Sequence, residues 1–292
     1  MTKSYTAELI LDARASCGEG PIWANDRLYW IDITDGAVHV YDPRSGENSS
    51  TYTGEMVGTV VPRTSGGVAV AAQQGFCALD LGTGELTVLN DPEADNPKTR
   101  FNDGKCDPAG RFWAGACPVD EESPIGTLYR LDADLTAHAQ VSGLTIPNGI
   151  VWSLDNTTMY YIDTPTYRVD AFDYDPATGE VANRRTACEI PESMGWPDGM
   201  SIDAKGHIWI GMWGGHGVTH WNPETGEYLG KIEVPAAQVT ACAFGGPNLE
   251  DLYITSARRG RSAPELKSEP NAGGLFKANV GVQGIPAHAF AG

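Results

Sequence analysis

The sequence predicts an all-β chain folded as a six-bladed β-propeller. Three observations carry this: a polar turn motif that recurs, a short aromatic-rich strand that can be counted six times in step with it, and apolar patterns that never hold a 3.6-residue period beyond about two turns.

The turn reads Tyr-Asp-Pro-Arg-Ser-Gly-Glu ending at Glu47, Leu-Asp-Leu-Gly-Thr-Gly-Glu ending at Glu85, Tyr-Asp-Pro-Ala-Thr-Gly-Glu ending at Glu180 and Trp-Asn-Pro-Glu-Thr-Gly-Glu ending at Glu227. The steps are 38, 95 and 47 residues, so the middle step holds two periods, with a degenerate copy near Leu128 to Leu131. A polar turn with a late Gly after an apolar strand is a hairpin signature. The strand copies centre on Leu28-Tyr29-Trp30, Val68-Ala69-Val70, Phe112-Trp113-Ala114, Met159-Tyr160-Tyr161, Ile208-Trp209-Ile210 and Leu252-Tyr253-Ile254. A period of roughly 40 to 48 residues fits one four-stranded meander per blade, and a β-sandwich would not repeat so regularly. Residues 1–292 therefore read as one propeller domain, its last blade closed by N- or C-terminal strands. The polar segment Arg258 to Asn271 reads as a long loop before the closing strand at Gly274-Leu275-Phe276.

Composition agrees with this architecture and narrows the partners. The 35 Gly and 19 Pro suit short strands and tight turns. Twenty basic against 38 acidic residues give a formal charge of −18, which repels phosphate backbones and anionic lipid, so neither nucleic acid nor a membrane is an expected partner. The same field favours divalent cations. Met1 to Asp12 has one Lys and no leader-length apolar run, and no window reaches the ~18 apolar residues of a membrane span. Six cysteines lie far apart without a C-x-x-C pair, which suits reduced, buried thiols in a cytoplasm. The chain is expected to be a monomer or weak oligomer.

A propeller binds small molecules where its inner strands converge on the axis. Four polar segments stand in phase with the blades: Cys17 to Trp23, Arg100 to Lys105, Ile146 to Ile150 and Trp196 to Met200. From Glu19 to Asn102 is 83 residues, to Asn148 another 46 and to Asp198 another 50. Asn-Gly and Asp-Gly are ordinary turn dipeptides when met singly. Recurring at one phase, they aim Glu19, Asn102, Asn148 and Asp198 at a common axial point, where two carboxylates and two amides need a cation between them.

The segments Gly18-Glu19-Gly20-Pro21, Arg100-Phe101-Asn102-Asp103-Gly104, Pro147-Asn148-Gly149, Pro197-Asp198-Gly199-Met200 and Phe244-Gly245-Gly246 are where the chain resembles the gluconolactonase/regucalcin family, also called the senescence-marker-protein group. The resemblance spans essentially the whole chain. It implies a six-bladed propeller that opens sugar lactones, with Glu19, Asn148 and Asp198 matching the metal ligands, Asp198 matching the proposed acid/base, and Arg100 and Asn102 matching the residues that hold the lactone. After Arg111 to Gly115 the chain departs from many relatives, carrying Ala116-Cys117-Pro118 in place of Thr-Met, and the acidic substrate contact beyond falls on Asp120 or Glu121.

The expected activity is thus a metal-dependent hydrolase that opens an aldonolactone of the gluconolactone, xylonolactone or arabinolactone type. The metal polarises the carbonyl, and Asp198 or metal-bound hydroxide activates water. All-oxygen ligation points to Ca²⁺, Mg²⁺ or Mn²⁺, and the family resemblance admits zinc. A hydrolase of organophosphate or aryl esters on the same cage, and a non-enzymatic calcium-binding propeller, are the competing readings. No H-E-x-x-H or G-x-S-x-G pattern offers another catalytic arrangement. His216 reads as a plain loop histidine, Cys17 and Cys117 as structural thiols, and Trp196 as a face on which a sugar could stack.

Overall fold

The computed structural model describes residues 3–292; Met1 and Thr2, the start of the segment read for a leader, lie outside the described residues. Six sheets, antiparallel but for one added edge strand, stand around one axis among the described residues. In the first, Gly18–Ala24, Arg27–Asp32, Ala37–Asp42 and Glu47–Tyr52 follow one another outward. The innermost strands of the six blades are Gly18–Ala24, Val57–Pro62, Thr99–Cys106, Pro147–Trp152, Trp196–Ile202 and Val239–Gly245, and each packs against the next around the ring. The aromatic strands counted in the sequence are the second strand of each blade, and their side chains, among them Trp30, Trp113, Trp209 and Tyr253, are buried except for the partly exposed Tyr29. Burying such large rings between sheets adds to the apolar burial that holds blade to blade.

The repeated turns join the third strand of a blade to its fourth. In each the late glycine donates its N–H to the carbonyl of the leading Asp or Asn, from Gly46 to Asp42 (2.8 Å), Gly84 to Asp80 (2.8 Å), Gly179 to Asp175 (2.7 Å) and Gly226 to Asn222 (2.9 Å). These glycines take φ of 73 to 79°, a conformation that costs other residues energy and so fixes Gly at this place.

Ring closure uses the N-terminus. Glu8–Leu11 pairs with Leu275–Asn279 as the outermost strand of blade six, and Lys3–Thr6 adds to blade five alongside Glu227–Glu233, in parallel. The segment read as a loop from Arg258 to Asn271 contains a short helix, Ala263–Ser268. Its start was written in the sequence: Ser262 and Glu265 form a reciprocal capping box with Pro264 in the first turn. The helix is too short to show a period. Among the described residues no helix is long and apolar enough to cross a membrane. All six cysteines are free and buried.

Removing residues 1–12 would leave Leu275–Asn279 an open sheet edge. We expect the truncated chain to melt several degrees lower and to aggregate as concentration rises, read by calorimetry and light scattering. A truncated chain that melts like the intact one would contradict closure by the N-terminal strand.

Candidate functional site

Every innermost strand carries a bulge at one level. Register breaks between Glu19 and Ile22, Val57 and Thr59, Phe101 and Gly104, Asn148 and Ile150, Pro197 and Met200, and Val239 and Cys242. A bulge re-aims the side chain beside it and tightens the local twist. Glu19, Asn102, Asn148 and Asp198, from the four in-phase segments, therefore sit inside the innermost strands, on these bulges. The Asn-Gly and Asp-Gly pairs are not turns. A Cβ on Gly149 would lie 2.8 Å from the Asp198 carbonyl oxygen, and one on Gly199 would lie 2.5 Å from Ala241 Cβ. Glycine follows Asn148 and Asp198 because the neighbouring blade presses there.

The sequence-predicted residues Glu19, Arg100, Asn102, Asp120, Glu121, Asn148 and Asp198 all line one cavity of about 530 Å³. A directed chain of hydrogen bonds orients its amides. Arg100 can only donate, so the Asn102 Oδ1 faces its Nη1 at 2.9 Å. Asn102 Nδ2 then donates to Asn148 Oδ1 (3.0 Å) and to the Pro147 carbonyl (2.8 Å). Asn148 Nδ2 donates to Thr164 Oγ1 (2.8 Å), whose hydroxyl donates to the Pro197 carbonyl (2.7 Å). Asn148 is thereby locked with its oxygen turned from Thr164 and a lone pair left on it. Asn102 has its oxygen on Arg100 and stands between Arg100 and Asn148 rather than as an independent ligand.

The carboxyls are under electrostatic load. Burial pushes Glu19 up to about 8, and the nearby Asp103 adds to the rise, while the Gly20 N–H, at 2.6 Å from Glu19 Oε2, opposes it. Asp198 is driven well above the ordinary carboxyl range by burial, then by Glu19 and Asp103. Asp103 is raised by burial and relieved by Lys105, whose Nζ donates to the Met200 carbonyl at 2.7 Å. One oxygen of Asp103, Oδ2, is buried without a hydrogen-bond partner. Two carboxyls and an oriented carboxamide oxygen, crowded and under-neutralised, fit a divalent cation that prefers oxygen ligands.

At the rim, Glu121 accepts from Arg100 Nη2 at 2.6 Å and from Arg259 Nη1 at 2.8 Å. Burial alone would raise its carboxyl, but Arg259 and Arg100 together hold it below its ordinary value. Of the two acidic candidates, Glu121 meets Arg100. Asp120 is exposed, and its carboxylate accepts from the backbone N–H groups of Glu122 and Ser123 to shape the turn. Sequence reasoning missed Arg259, Thr164 and Lys105. Of these only Lys105 lay within one of the four polar segments, Arg259 falling in the stretch read as a plain loop. Burial pushes the thiols of Cys17 and Cys117 up, the second to about 11, so neither is an activated nucleophile. His216 is an exposed loop residue, and Trp196, 42% exposed, lies on the cavity wall against Tyr167.

The raised Glu19 gives a pH signature. Between its ordinary 4.5 and about 8, the folded, ion-free chain keeps a proton that the unfolded chain has released, so stability falls as pH rises through that window. In chelator we expect the wild-type melting temperature to drop more steeply from about pH 5 to about pH 8 than that of Glu19→Gln. Parallel curves for the two proteins would contradict the crowding of charge described here.

The profile of the family described as SMP-30/Gluconolactonase/LRE-like region matches residues 17–258. Regucalcin of Danio rerio is 38% identical over 294 residues, 99% of each chain. YvrE of Bacillus subtilis (strain 168), provisionally named a sugar lactone lactonase, is 38% identical over 288 residues, 98% of this chain and 99% of its own. Among solved structures, a calcium-binding protein, regucalcin, from Agrobacterium tumefaciens superposes with a TM-score of 0.94 at 26% identity over 99% of both chains. A luciferin-regenerating enzyme gives 0.91 at 30% identity over 98% of this chain and 99% of that one. The chain is a member of the SMP-30/gluconolactonase/LRE-like family.

Proposed function

We propose that this protein hydrolyses a sugar lactone to the corresponding aldonic acid, with a divalent cation held by Glu19, Asn148 and Asp198. The observation that carries the reading is the pairing, in one cavity, of an under-neutralised oxygen cage with a polar rim of Arg100 and Glu121. The provisional lactonase name of the Bacillus subtilis relative supports the reaction class. The all-oxygen donors, together with the calcium-binding description of the Agrobacterium regucalcin, favour Ca²⁺. The six buried free thiols suit a reducing, cytoplasmic setting.

When bound, the cation supplies Lewis-acid polarisation of an ester carbonyl and charge for the developing oxyanion. The chain's own residues do the rest. Asp198, ionised, accepts a proton from the attacking water as the new C–O bond forms, and returns it to the ring oxygen as the ester C–O bond breaks. The product is the open hydroxy acid. Arg100 keeps its planar fork rigid through Asn102 and Glu121, so sugar hydroxyls meet donors and acceptors already in place. Trp196 offers an apolar face at the rim for the C–H side of a sugar ring. Because the rim carries charged and amide groups, it favours a hydroxylated lactone over an aryl or phosphate ester.

The direct test is pH-stat hydrolysis of gluconolactone, xylonolactone, arabinolactone and galactonolactone, with the spontaneous rate subtracted. We expect turnover that chelator abolishes and Ca²⁺ restores, and a loss of about 10²-fold to 10⁴-fold in kcat for Asp198→Asn. Asn148→Ala should weaken the response to Ca²⁺. Full activity in Asp198→Asn, or preference for aryl esters, would overturn the proposal.

A further inference from the structure

Blades three and five share a seven-residue unit, Asp107-Pro108-Ala109-Gly110-Arg111-Phe112-Trp113 and Asp203-Ala204-Lys205-Gly206-His207-Ile208-Trp209. In both the aspartate is fully buried, with 0% exposure. Its Oδ1 accepts the backbone N–H groups two and four residues on, at 3.0 and 2.9 Å for Asp107 and 2.8 and 3.0 Å for Asp203. Its Oδ2 accepts the indole N–H six residues on, at 3.0 Å in each blade. The tryptophan faces a basic side chain on the next strand, Arg130 opposite Trp113 and His220 opposite Trp209.

The two blades part company in what meets the buried carboxylate. In blade three Arg111 Nη1 lies 3.2 Å from Asp107 Oδ2 and the Tyr174 hydroxyl donates to that oxygen at 2.7 Å, while Arg130 lies over the Trp113 ring. In blade five the places of Arg111 and Arg130 hold two imidazoles, His207 and His220. Their ring centroids are 5.3 Å apart; His220 stacks on Trp209 at 3.8 Å, and its Nε2 is 3.6 Å from Asp203 Oδ2. One ligating atom from each of Asp203, His207 and His220 lies within 4.8 Å of the others. A guanidinium cannot ligate a metal, whereas neutral imidazole is a common ligand of transition ions.

We propose that Asp203, His207 and His220 form a second metal site, selective for a borderline divalent ion such as Zn²⁺. Two imidazole nitrogens and one carboxylate oxygen are the donor set such ions take with a fourth position open to water. The support around the ligands is built: two backbone amides and an indole N–H fix the carboxylate, and Trp209 fixes one ring, as outer-shell groups do in metal sites. Both histidines are partly exposed, which gives the ion a way in. The site is separate from the tunnel cage: Asp198 stands near the start of Trp196–Ile202 and Asp203 just past its end, about 16 Å along the strand. It also touches the C-terminal segment, since the Ala204 N–H donates to the Gln283 carbonyl and Asp203 bridges Gly284. The oxygen cage and the imidazole pair would thus sort different cations, and the second site would tie blade five to the C-terminal segment at Gln283 and Gly284.

The test titrates Zn²⁺ calorimetrically into wild-type protein saturated with Ca²⁺, and repeats it with His207→Arg, which copies blade three, and with His207→Gln. Melting temperature in chelator is measured for each to establish folding. We expect one Zn²⁺ per chain that Ca²⁺ does not displace, weakened about 100-fold or more in both variants, at least the effect of losing an outer-shell partner. Lactone hydrolysis and Ca²⁺ response should be unchanged in either variant, so this outcome is distinct from that of the tunnel. No Zn²⁺ binding to the Ca²⁺-saturated wild type, or undiminished binding by a folded variant, would overturn the site.

Discussion

Three carboxyl groups, Glu19, Asp103 and Asp198, are buried around one axis, with the Lys105 ammonium relieving the first two, and the design of the candidate site follows from that crowding. Buried like charges that close raise one another's pKa and oppose folding unless a cation or a proton relieves them. The ring holds them there because each lies on an innermost strand whose bulge is fixed by the neighbouring blade. Gly149 under the Asp198 carbonyl and Gly199 under Ala241 illustrate the closeness of that fit. The burial that steadies the blades also keeps the carboxyls from water, so the electrostatic load is a product of the architecture.

The rim is arranged to complement the cage. Arg100 links the two through one unbroken polarity, donating to Glu121 outward and to Asn102 inward, with Asn102 donating onward to Asn148. Glu121 is therefore connected to the Asn148 amide through two side chains, Arg100 and Asn102, each oriented by its hydrogen bonds. Arg259 extends the set from the loop that follows blade six's second strand, which places a residue late in the chain beside one 138 positions earlier.

Much of this was legible in the sequence. The turn motif named the outer hairpins, the aromatic strands counted the blades, and the phase of Glu19, Asn102, Asn148 and Asp198 put them at one mouth. What could not be read was contact between distant segments. Arg259 lies in a polar stretch with no motif, and nothing local distinguishes it from Arg258. Thr164 orients Asn148 from a short 3-10 turn that has no counterpart in the repeat. The position of Glu121 over Asp120 depends on its φ of 58°, a left-handed turn that points one carboxylate into the rim and leaves the other to cap the loop. The bulges were also hidden, because Asn-Gly and Asp-Gly carry the same letters whether they turn a chain or yield room to a neighbouring blade.

The most direct measurement of the central claim is the number of protons released when Ca²⁺ binds, obtained by calorimetry in buffers of different ionisation enthalpy near pH 7. Carboxyls raised by crowding are partly protonated there, Glu19 at about 8 among them, and a cation must displace those protons. Proton release is expected with each bound ion, greatly reduced in Glu19→Gln and in Asp198→Asn. Tight binding without proton release, or release unaltered in both variants, would contradict the claim that the cation relieves the charge gathered on the axis.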